Sequence, residues 1–455
     1  MGFGRQGRAL AKWLPKQGAT VIVTDKRTNK ELPIDRAEYP GVRFIMGRHP
    51  KSILRDVDFI CVSGGVPLDL PILQEAREQG IRLTNDAQLF MERCPAPIIG
   101  ITGSAGKTTT TTLVSEIVKR AGYKTWVGGN IGDVLLDDLE NINKDDVVVM
   151  ELSSFQLELM ETSPQVAAIL NITPNHLDRH KTMESYVAAK ANIIKYQSPT
   201  DIAILSADDA TTHALEMVAN GEVVTFSARS MVPNGAFCVG NRLVLAGAAS
   251  YDYVPHVLAQ KDEIPLRGDH NVLNVLAACA IAGSLGLALD RPGISPETMR
   301  EVILEFQPVP HRLEVVREVE GVTYINDSIA TAPERLVAAL RSFSEPLVLL
   351  LGGADKDLPW EEAVHLALQK ARHIVLFGES GEKQVGDKAL RLFKLMGADE
   401  KVVSRVDDLE AAIKRAKEVA QEGDIVLLSP GGTSYDAYQD FAKRGEHFRD
   451  LVNAL

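Results

Sequence analysis

The chain of 455 residues has only four cysteines, and they lie far apart in the sequence. They show no metal-like spacing and lie in apolar stretches, which favours buried thiols in a reducing compartment over disulfides or a zinc site: Cys61, Cys94, Cys238 and Cys279. No apolar run is expected to be long enough to span a membrane, and residues 1–13 lack the apolar block of a secretory signal. We therefore expect a cytoplasmic protein without membrane insertion.

The chain also has no excess of positively charged side chains. The formal net charge is −12, from 49 Lys and Arg against 61 Asp and Glu. Binding nucleic acid requires a basic face, so this balance argues against nucleic acid as a partner. It does not exclude nucleotides, because local loops bind their phosphates.

Residues 103–108, with the sequence GSAGKT, are the most informative motif of the chain. An apolar stretch precedes them and hydroxyl residues follow, so we predict a strand, a glycine turn and a helix in that order. Backbone N–H groups of such a turn bind phosphates, Lys107 can reach the terminal phosphates, and Thr108 can hold Mg²⁺. This order makes a simple turn with a surface lysine the weaker interpretation. Only two residues separate the glycines, so the motif predicts a nucleoside triphosphate site with a variant loop.

Short apolar runs alternate with amphipathic stretches in three blocks, which is typical of parallel α/β folds. Proline-containing breaks separate the blocks, and we predict domains at residues 1–93, 94–306 and 307–455. The predicted fold is α/β with a Rossmann-like N-terminal domain, a central P-loop-type mononucleotide-binding domain and a Rossmann-like C-terminal domain. An antiparallel portion is predicted within residues 201–266. Strands are predicted at residues 21–24, 42–45, 57–62, 147–150, 166–172, 322–326, 347–351, 373–377 and 424–429, and helices at 70–79, 183–197 and 271–287.

Residues 2–7, GFGRQG, match the glycine fingerprint of dinucleotide-binding folds, and Asp25 follows where a ribose-binding acid would lie. The match is equally compatible with a nucleotide site and with a tight turn. Such a fingerprint normally follows a central strand, so we expect the native reading frame to begin upstream of Met1. Without that strand, the strands at residues 21–24 and 57–62 would lack a shared neighbour.

Two polar residues follow predicted buried strands near the phosphate loop. Glu151 ends one apolar run, and His176 comes after the strand predicted at residues 166–172. Open sheets bind ligands at the carboxyl ends of their strands, where a carboxylate can hold Mg²⁺. We therefore predict both residues at the sheet edge beside Lys107, with a solvated acid and a structural histidine as alternatives. Periodicity alone predicts a solvated side chain for Lys190.

The third block begins with two further candidates. Arg312 follows the second proline-containing break, and Asp327 follows the first strand of the block. Ligands collect at domain junctions, and arginine can bind phosphate bidentately. Solvated linker charges are an equally good interpretation of these residues alone.

Together these motifs resemble the Mur ligases over nearly the whole chain. Within that family the resemblance is to members that add D-glutamate, because SSFQ follows the matching glutamate at residues 153–156. The matching stretches are residues 102–108, 129–132, 151–158, 176–179, 188–190, 270–271 with Asn274, 311–312, 326–331, 351–353 with Lys356, and 429–434 with Phe441.

The resemblance implies an ATP-dependent amide ligase of cytoplasmic peptidoglycan precursor synthesis that uses Mg²⁺. In such enzymes ATP phosphorylates the terminal carboxylate of UDP-N-acetylmuramoyl-L-alanine, the amine of D-glutamate attacks the acyl phosphate, and phosphate leaves. Excluding water protects this intermediate, while Lys107 and Mg²⁺ neutralise charge on the transferring phosphoryl group. A monomer is expected.

The resemblance also implies a role for individual residues. Catalysis is assigned to Lys107, Glu151, His176 and Lys190, and the metal to Thr108, Glu151, His176 and Lys190, the last as a carbamate. The implied ATP contacts are Gly103, Ser104, Ala105, Gly106, Lys107, Thr108, Thr109, Asn271, Asn274, Arg312 and Asp327. The implied UDP-sugar contacts are Asp25, Lys26, Arg27, Ser63, Gly65, Asn130, Gln156 and His176. The implied D-glutamate contacts are Thr331, Lys356, Ser434 and Phe441.

The chain departs from the family pattern at Ala105, where asparagine is frequent, and at Ile329, where some members have lysine. Three other functions remain open. Another Mur-type or folylpolyglutamate-type ligase would differ in the amino acid that it uses. A non-catalytic scaffold would be expected to have lost some of the polar residues named above, and a dehydrogenase lacks a hydride-transfer site in this sequence.

Overall fold

The computed structural model describes residues 1–130, 134–266, 268–289, 293–307, 310–343 and 345–455. Motif residues 131–132 and part of the second proline-containing break, residues 308–309, lie outside these ranges. The chain divides into two compact units, residues 1–264 with 272–305, and residues 265–271 with 306–455.

The first unit begins with two small parallel sheets. Its elements are α1 (Arg5–Lys16), β1 (Ile22–Asp25), β2 (Arg43–Met46), β3 (Phe59–Cys61), α2 (Pro71–Glu78), β4 (Arg82–Thr84) and α3 (Asp86–Met91). β1 pairs with β2 and β3 pairs with β4, so the expectation that β1 and β3 lack a shared neighbour is confirmed for the described residues. A cavity of ≈ 540 Å³ is lined by both strands and by α1. Residues 1–2 connect the sheets at one end, since Gly2 N donates to Thr24 O and Ser63 N donates to Met1 O.

A nine-stranded sheet follows in the same unit. The elements of this part of the chain are β5 (Ile98–Thr102), α4 (Lys107–Arg120), β6 (Thr125–Gly129), β7 (Val147–Glu151), α5 (Ser154–Leu157), β8 (Val166–Ile169), α6 (Leu177–His180), α7 (Met183–Lys195), β9 (Ile202–Ser206), α8 (Ala210–His213), β10 (Glu222–Ser227), β11 (Gly235–Val239), β12 (Arg242–Ala246), β13 (His256–Gln260), α9 (Asp269–Leu289) and α10 (Pro296–Glu305). The first three residues of α9 belong to the second unit. The strand order is β13-β12-β11-β10-β9-β8-β5-β7-β6, which places β5 between β8 and β7.

The predicted antiparallel portion is confirmed at residues 235–260, where β12 pairs antiparallel with β11 and with β13. β9, β10 and β11 continue the parallel sheet, and only β12 and β13 run antiparallel to their neighbours. β9 is buried along its whole length, as expected for a parallel strand covered on both faces. The mixed composition after β9 concealed this in the sequence.

The second unit contains a six-stranded sheet in the order β14-β15-β19-β16-β17-β18. Its elements are β14 (Glu314–Val319), β15 (Val322–Asn326), α11 (Pro333–Arg341), β16 (Leu347–Gly352), α12 (Glu361–Lys370), β17 (Ala371–Phe377), α13 (Val385–Leu395), β18 (Val403–Arg405), α14 (Leu409–Val419), β19 (Ile425–Gly431) and α15 (Phe441–Asn453). β14 is antiparallel to β15, and the other pairs are parallel. Apolar clusters cover both faces of the sheet.

Two expectations drawn from missing features need correction. α9 is long and apolar enough, by length and composition, to cross a membrane, and 78% of its most apolar window is buried in the structure. A core helix of a folded domain has the same composition. Cys238 and Cys279 are buried as predicted, whereas Cys61 and Cys94 are only half-buried; all four are free thiols.

Candidate active site

The phosphate loop connects β5 to α4. Gly106 has a φ of +85°, in the left-handed region that favours glycine, and a Cβ there would lie 2.3 Å from Asn274 Oδ1. Asn171 holds the loop from the end of β8: its Oδ1 accepts a hydrogen bond from Ala105 N, and its backbone oxygen accepts one from Ser104 N, both at 2.9 Å. Sequence reasoning missed Asn171, although its position just after a buried strand was a signal.

Three predicted residues meet at the start of α4. Lys107 Nζ donates to Gly103 O at 2.7 Å, so the lysine folds back over the loop. Thr108 Oγ1 donates to Glu151 Oε2 at 2.8 Å. Glu151 ends β7, is only 2% exposed, and accepts a second hydrogen bond from Asn130 at 2.9 Å. The structure therefore brings Lys107, Thr108 and Glu151 together at one sheet edge.

The oxygen donors at this edge fit Mg²⁺. Magnesium prefers oxygen ligands and usually binds one or two carboxylates together with substrate phosphates and waters. Glu151 supplies the carboxylate and Thr108 the hydroxyl. Within the ranges described above, no group of three or more His, Cys, Asp or Glu side chains could hold a metal on its own. The donor set thus suits a cation shared with a nucleotide.

The solvated position that periodicity predicts for Lys190 is wrong. Lys190 is 1% exposed, and its neighbours Ala189, Ala191 and Ile193 on α7 are buried as well. Its Nζ donates to Thr102 Oγ1 at 3.1 Å and to Gly103 O at 3.0 Å. Burial lowers the pKa of Lys190 well below its usual value, the charge of Lys107 lowers it further, and Glu151 opposes the shift. The environment favours an uncharged amine.

His176 does not lie at the end of a strand. β8 ends at Ile169, earlier than predicted, and His176 precedes the short helix α6 with a φ of +55°. Its ring packs edge-on against Phe155, with 5.1 Å between the ring centroids. A left-handed backbone is uncommon outside glycine and stores strain, a feature that clusters at functional sites.

A cavity of ≈ 750 Å³ lies next to the glycine fingerprint. Of the predicted UDP-sugar contacts, those that line it are Asp25, Lys26, Arg27, Ser63, Gly65 and Asn130. Gln156 and His176 are not among the lining residues. Gln156 is buried and caps α5, because Ser153 N donates to its Oε1 at 3.1 Å.

The carboxylate of Asp25 forms hydrogen bonds within the protein. Its Oδ2 accepts hydrogen bonds from Phe3 N and from Arg27 Nη2, each at 2.7 Å. Burial alone would raise the pKa of Asp25, but the hydrogen bonds from Arg27 and Phe3 outweigh it and hold the pKa well below the usual range. Asp25 therefore orders the glycine turn in addition to lining the cavity.

The cavity residues that sequence reasoning missed include Arg5, Phe155 and Arg179. Arg179 Nη2 donates to Gly64 O at 3.3 Å and to Val66 O at 3.1 Å, and its guanidinium lies 4.6 Å from the ring centroid of Phe155. Arg5 Nη2 donates to the backbone oxygen of Gly129 at 3.2 Å. The two arginines provide charge of the sign that a diphosphate requires.

The second unit carries the remaining predicted nucleotide residues. Asp327 is 5% exposed, and its carboxylate accepts hydrogen bonds from Ser429 Oγ at 2.9 Å and from Leu313 N at 3.3 Å. Burial raises the pKa of Asp327 to about 7, against the effects of Ser429 and the Arg312 charge. Asn271 is also buried, in the segment of residues 265–271 that belongs to this unit.

The predicted D-glutamate residues follow adjacent strands of the second sheet. Thr331 comes after β15, Ser434 after β19 and Lys356 after β16, and these strands are neighbours in that order. Lys356 Nζ donates to Thr331 Oγ1 at 3.3 Å. Ser434 is buried, and Phe441 begins α15 with its ring 6.4 Å from that of His311. The set lies where open parallel sheets bind ligands.

Solved structures with low sequence identity share this fold. A pseudomurein peptide ligase type C from Methanothermus fervidus aligns with a TM-score of 0.58 at 19% identity, covering 98% of this chain and 97% of that one. UDP-N-acetylmuramate-alanine ligase from Thermotoga maritima aligns with a TM-score of 0.57 at 19% identity, covering 99% and 97%. Folylpolyglutamate synthase from Mycobacterium tuberculosis aligns with a TM-score of 0.57 at 16% identity, covering 80% and 94%.

Sequence comparison is more specific. The profile of the MurD-like N-terminal domain of Mur ligases matches residues 1–85, the Mur ligase middle domain matches 101–282, and the Mur ligase glutamate ligase domain matches 311–432. A UDP-N-acetylmuramoylalanine–D-glutamate ligase from Clostridium botulinum strain Okra is 39% identical, covering 100% of this chain and 96% of that protein. One from Clostridium novyi is 40% identical with the same coverage. The chain therefore belongs to the Mur ligase family of ATP-dependent, amide-bond-forming enzymes.

Proposed function

We propose that the chain joins D-glutamate to UDP-N-acetylmuramoyl-L-alanine in the cytoplasm and converts ATP to ADP and phosphate. The observation that carries this proposal is the contact of Thr108 with Glu151, beside Lys107 and the buried Lys190. The cavity of ≈ 750 Å³ in the same unit is in the size range of small-molecule sites. The D-glutamate specificity rests on the named relatives and on the residues after β15, β16 and β19.

The first step activates the carboxylate of the sugar peptide. A carboxylate oxygen forms a bond to the γ-phosphorus of ATP, the bond from that phosphorus to the β–γ bridging oxygen breaks, and ADP leaves. Lys107 and the N–H groups of the phosphate loop neutralise charge on the moving phosphoryl group. Thr108 and Glu151 would hold Mg²⁺, which supplies further charge neutralisation when bound.

The second step forms the amide. The uncharged amine of D-glutamate attacks the carbonyl carbon of the acyl phosphate, the C–O bond to phosphate breaks, and the amine loses a proton. Lys356 and Thr331 are proposed to hold the carboxylates of D-glutamate, because a cation beside a hydroxyl donor suits such a group. Fixing both carboxylates aligns the amine and selects one enantiomer.

We also propose that Lys190 is carbamylated. CO₂ reacts with an uncharged amine, and the burial of Lys190 favours that form. The product places a negatively charged carbamate near Glu151 in place of the neutral amine, which suits a cation-binding edge. Enzyme equilibrated with ¹³C-bicarbonate should show a carbamate carbon signal that Lys190→Ala lacks. A small carboxylic acid added to Lys190→Ala should restore part of its activity, and full activity of the unsupplemented variant would contradict the proposal.

The assay that tests the main proposal measures phosphate release from ATP with the UDP-sugar substrate and one amino acid at a time. Release should require D-glutamate, with L-glutamate nearly inactive. Equal turnover with L-lysine or L-alanine would identify a different Mur-type ligase, and L-glutamate with a folate acceptor would identify a folylpolyglutamate-type enzyme. Nucleotide binding without turnover in any mixture would favour a scaffold. Sedimentation velocity should give a monomer.

A further inference from the structure

The segment that carries Lys356 is tied to its surroundings by the backbone. Ala354 and Thr433 exchange two hydrogen bonds, each of 2.9 Å, and thereby join the segment to the loop of Ser434. On the other side, Asp355 N donates to Lys383 O at 2.9 Å. These bonds end just before Lys356, whose side chain is exposed. These backbone hydrogen bonds therefore do not fix the segment after residue 355, whose position depends on other contacts.

Side chains supply those contacts on both sides of Lys356. Lys388, on α13, donates to Asp355 Oδ2 at 2.7 Å and to the backbone oxygen of Leu358 at 3.2 Å. The side chain of Asp355 is 9% exposed and that of Lys388 is 21% exposed, so solvent screens this pair only in part. One ammonium thus fixes the residue before Lys356 and a residue after it. Between them Asp357 turns the chain with a φ of +57°.

The other oxygen of Asp355 accepts a hydrogen bond from Trp360, the residue before α12. Trp360 Nε1 donates to Asp355 Oδ1 at 3.3 Å, and the indole is 1% exposed. At the end of β19, Gly431 lies so close that a Cβ there would be 2.4 Å from the indole. The indole is therefore rigidly placed against β19. Asp355 connects this rigid ring to α13.

We infer that Asp355 and Lys388 are positioning residues that set the location of Lys356 in the amino-acid subsite. This inference rests on the proposed role of Lys356 toward the carboxylates of D-glutamate. A lysine carries a flexible stem with a large rotamer entropy, so a fixed Cα reduces the cost of directing its ammonium at an anion. Among the described residues, the side chains of Asp355 and Lys388 bond to each other, to Trp360 and to Leu358, none of which is a predicted nucleotide contact, so their effect should be confined to one substrate.

The test is steady-state kinetics of the full chain with Lys388→Met. The KM for D-glutamate should rise about tenfold, the expected effect of weakening one charge-assisted contact. The KM values for ATP and for the UDP-sugar should stay within about twofold of wild type. Lys394→Met is the matched control, because Lys394 is an exposed lysine on the same helix, and it should leave all three KM values unchanged. Lys388→Arg keeps a cationic donor and should recover most of the loss.

The outcomes separate this inference from the proposed function. If wild type shows no turnover that depends on D-glutamate, the proposed function is wrong. If wild type is active and Lys388→Met keeps its KM for D-glutamate, or if all three KM values rise together, the positioning role is wrong. Should Lys388→Met fail to fold, Asp355→Asn keeps the size of the side chain and an oxygen that can accept from Trp360 Nε1, and it removes the charge that pairs with Lys388. Its KM for D-glutamate should rise severalfold, and an unchanged value would overturn the inference.

Discussion

Replacing Lys190 with methionine is expected to abolish ligation without weakening the fold. Methionine keeps the apolar stem and nearly the volume of lysine, in a position that is 1% exposed. The partners of the lost ammonium stay satisfied. Thr102 Oγ1 still donates to Leu152 O at 2.8 Å, and Gly103 O still accepts from Lys107 at 2.7 Å. Removing the amine therefore creates no unpaired buried group.

The lowered pKa of Lys190 sets the sign of the pH dependence of stability. Burial lowers this pKa well below its usual value, so below pH 10 the unfolded chain binds a proton that the folded chain does not. The free energy of unfolding of wild type therefore decreases by about 1.4 kcal/mol for each pH unit as the pH falls from about 10 toward the lowered pKa. Methionine does not titrate. The two lost hydrogen bonds cost about 1–2 kcal/mol, and the proton term works against this cost as the pH falls.

Urea unfolding in bicarbonate-free buffer at pH 8, 9 and 10 measures this difference. Lys190→Met should gain stability relative to wild type as the pH falls from 10 to 8. Lys195→Met, an exposed lysine on the same helix, is the control and should show no such gain. Turnover of Lys190→Met should fall by a factor of about 100 or more. A variant that is less stable by about 3 kcal/mol at pH 8, or a difference that does not change with pH, would refute the reasoning.

Three further substitutions test separate parts of the molecule. Lys107→Ala should abolish turnover and leave calorimetric binding of the UDP-sugar unchanged, because the cavity does not include Lys107; loss of both would indicate an unfolded domain. Gly106→Ala should cost about 1–3 kcal/mol, from a left-handed backbone and the approach to Asn274, and should weaken ATP binding; an unchanged melting temperature would contradict this. Asp327→Asn should flatten the pH dependence of unfolding. Because the pKa of Asp327 is raised to about 7, wild type loses stability as the pH rises from about 4 through 7, and the variant does not. If the stability of wild type and of Asp327→Asn depended on pH in the same way, the raised pKa of Asp327 could not be the cause.

Buried parallel strands were predictable where both faces are apolar. The strand predicted at residues 322–326 coincides with β15, and the apolar runs before Glu151 and Gly352 form β7 and β16. A continuous apolar run has one physical interpretation in an α/β chain, a strand covered by helices on both sides. β10 and β11 lack this pattern, and their direction depends on tertiary pairing that periodicity does not encode.

The residues of the candidate site were predictable from the sequence where they lie at strand ends, and were not predictable elsewhere. Glu151 follows directly from the end of an apolar run, because sheet geometry fixes where that end lies. Lys190 does not, since its burial depends on which face of α7 meets the phosphate loop. Asn171 and Arg179 act through backbone oxygens or N–H groups of distant segments. Such contacts require no particular residue type, because any polar side chain of suitable length can make them.

The position of β5 between β7 and β8 determines how late in synthesis and folding the active site can form. Thr108 and Glu151 are 43 residues apart in the chain, and Thr102 and Lys190 are 88 residues apart. Parallel strands pair only after a crossover connection has closed, so none of these contacts can form locally. A ribosome must complete α7 before the growing chain can bind a nucleotide in the proposed way. Once formed, the site is protected by the same connectivity: the amide hydrogens of β5 should exchange with solvent only when the whole sheet opens.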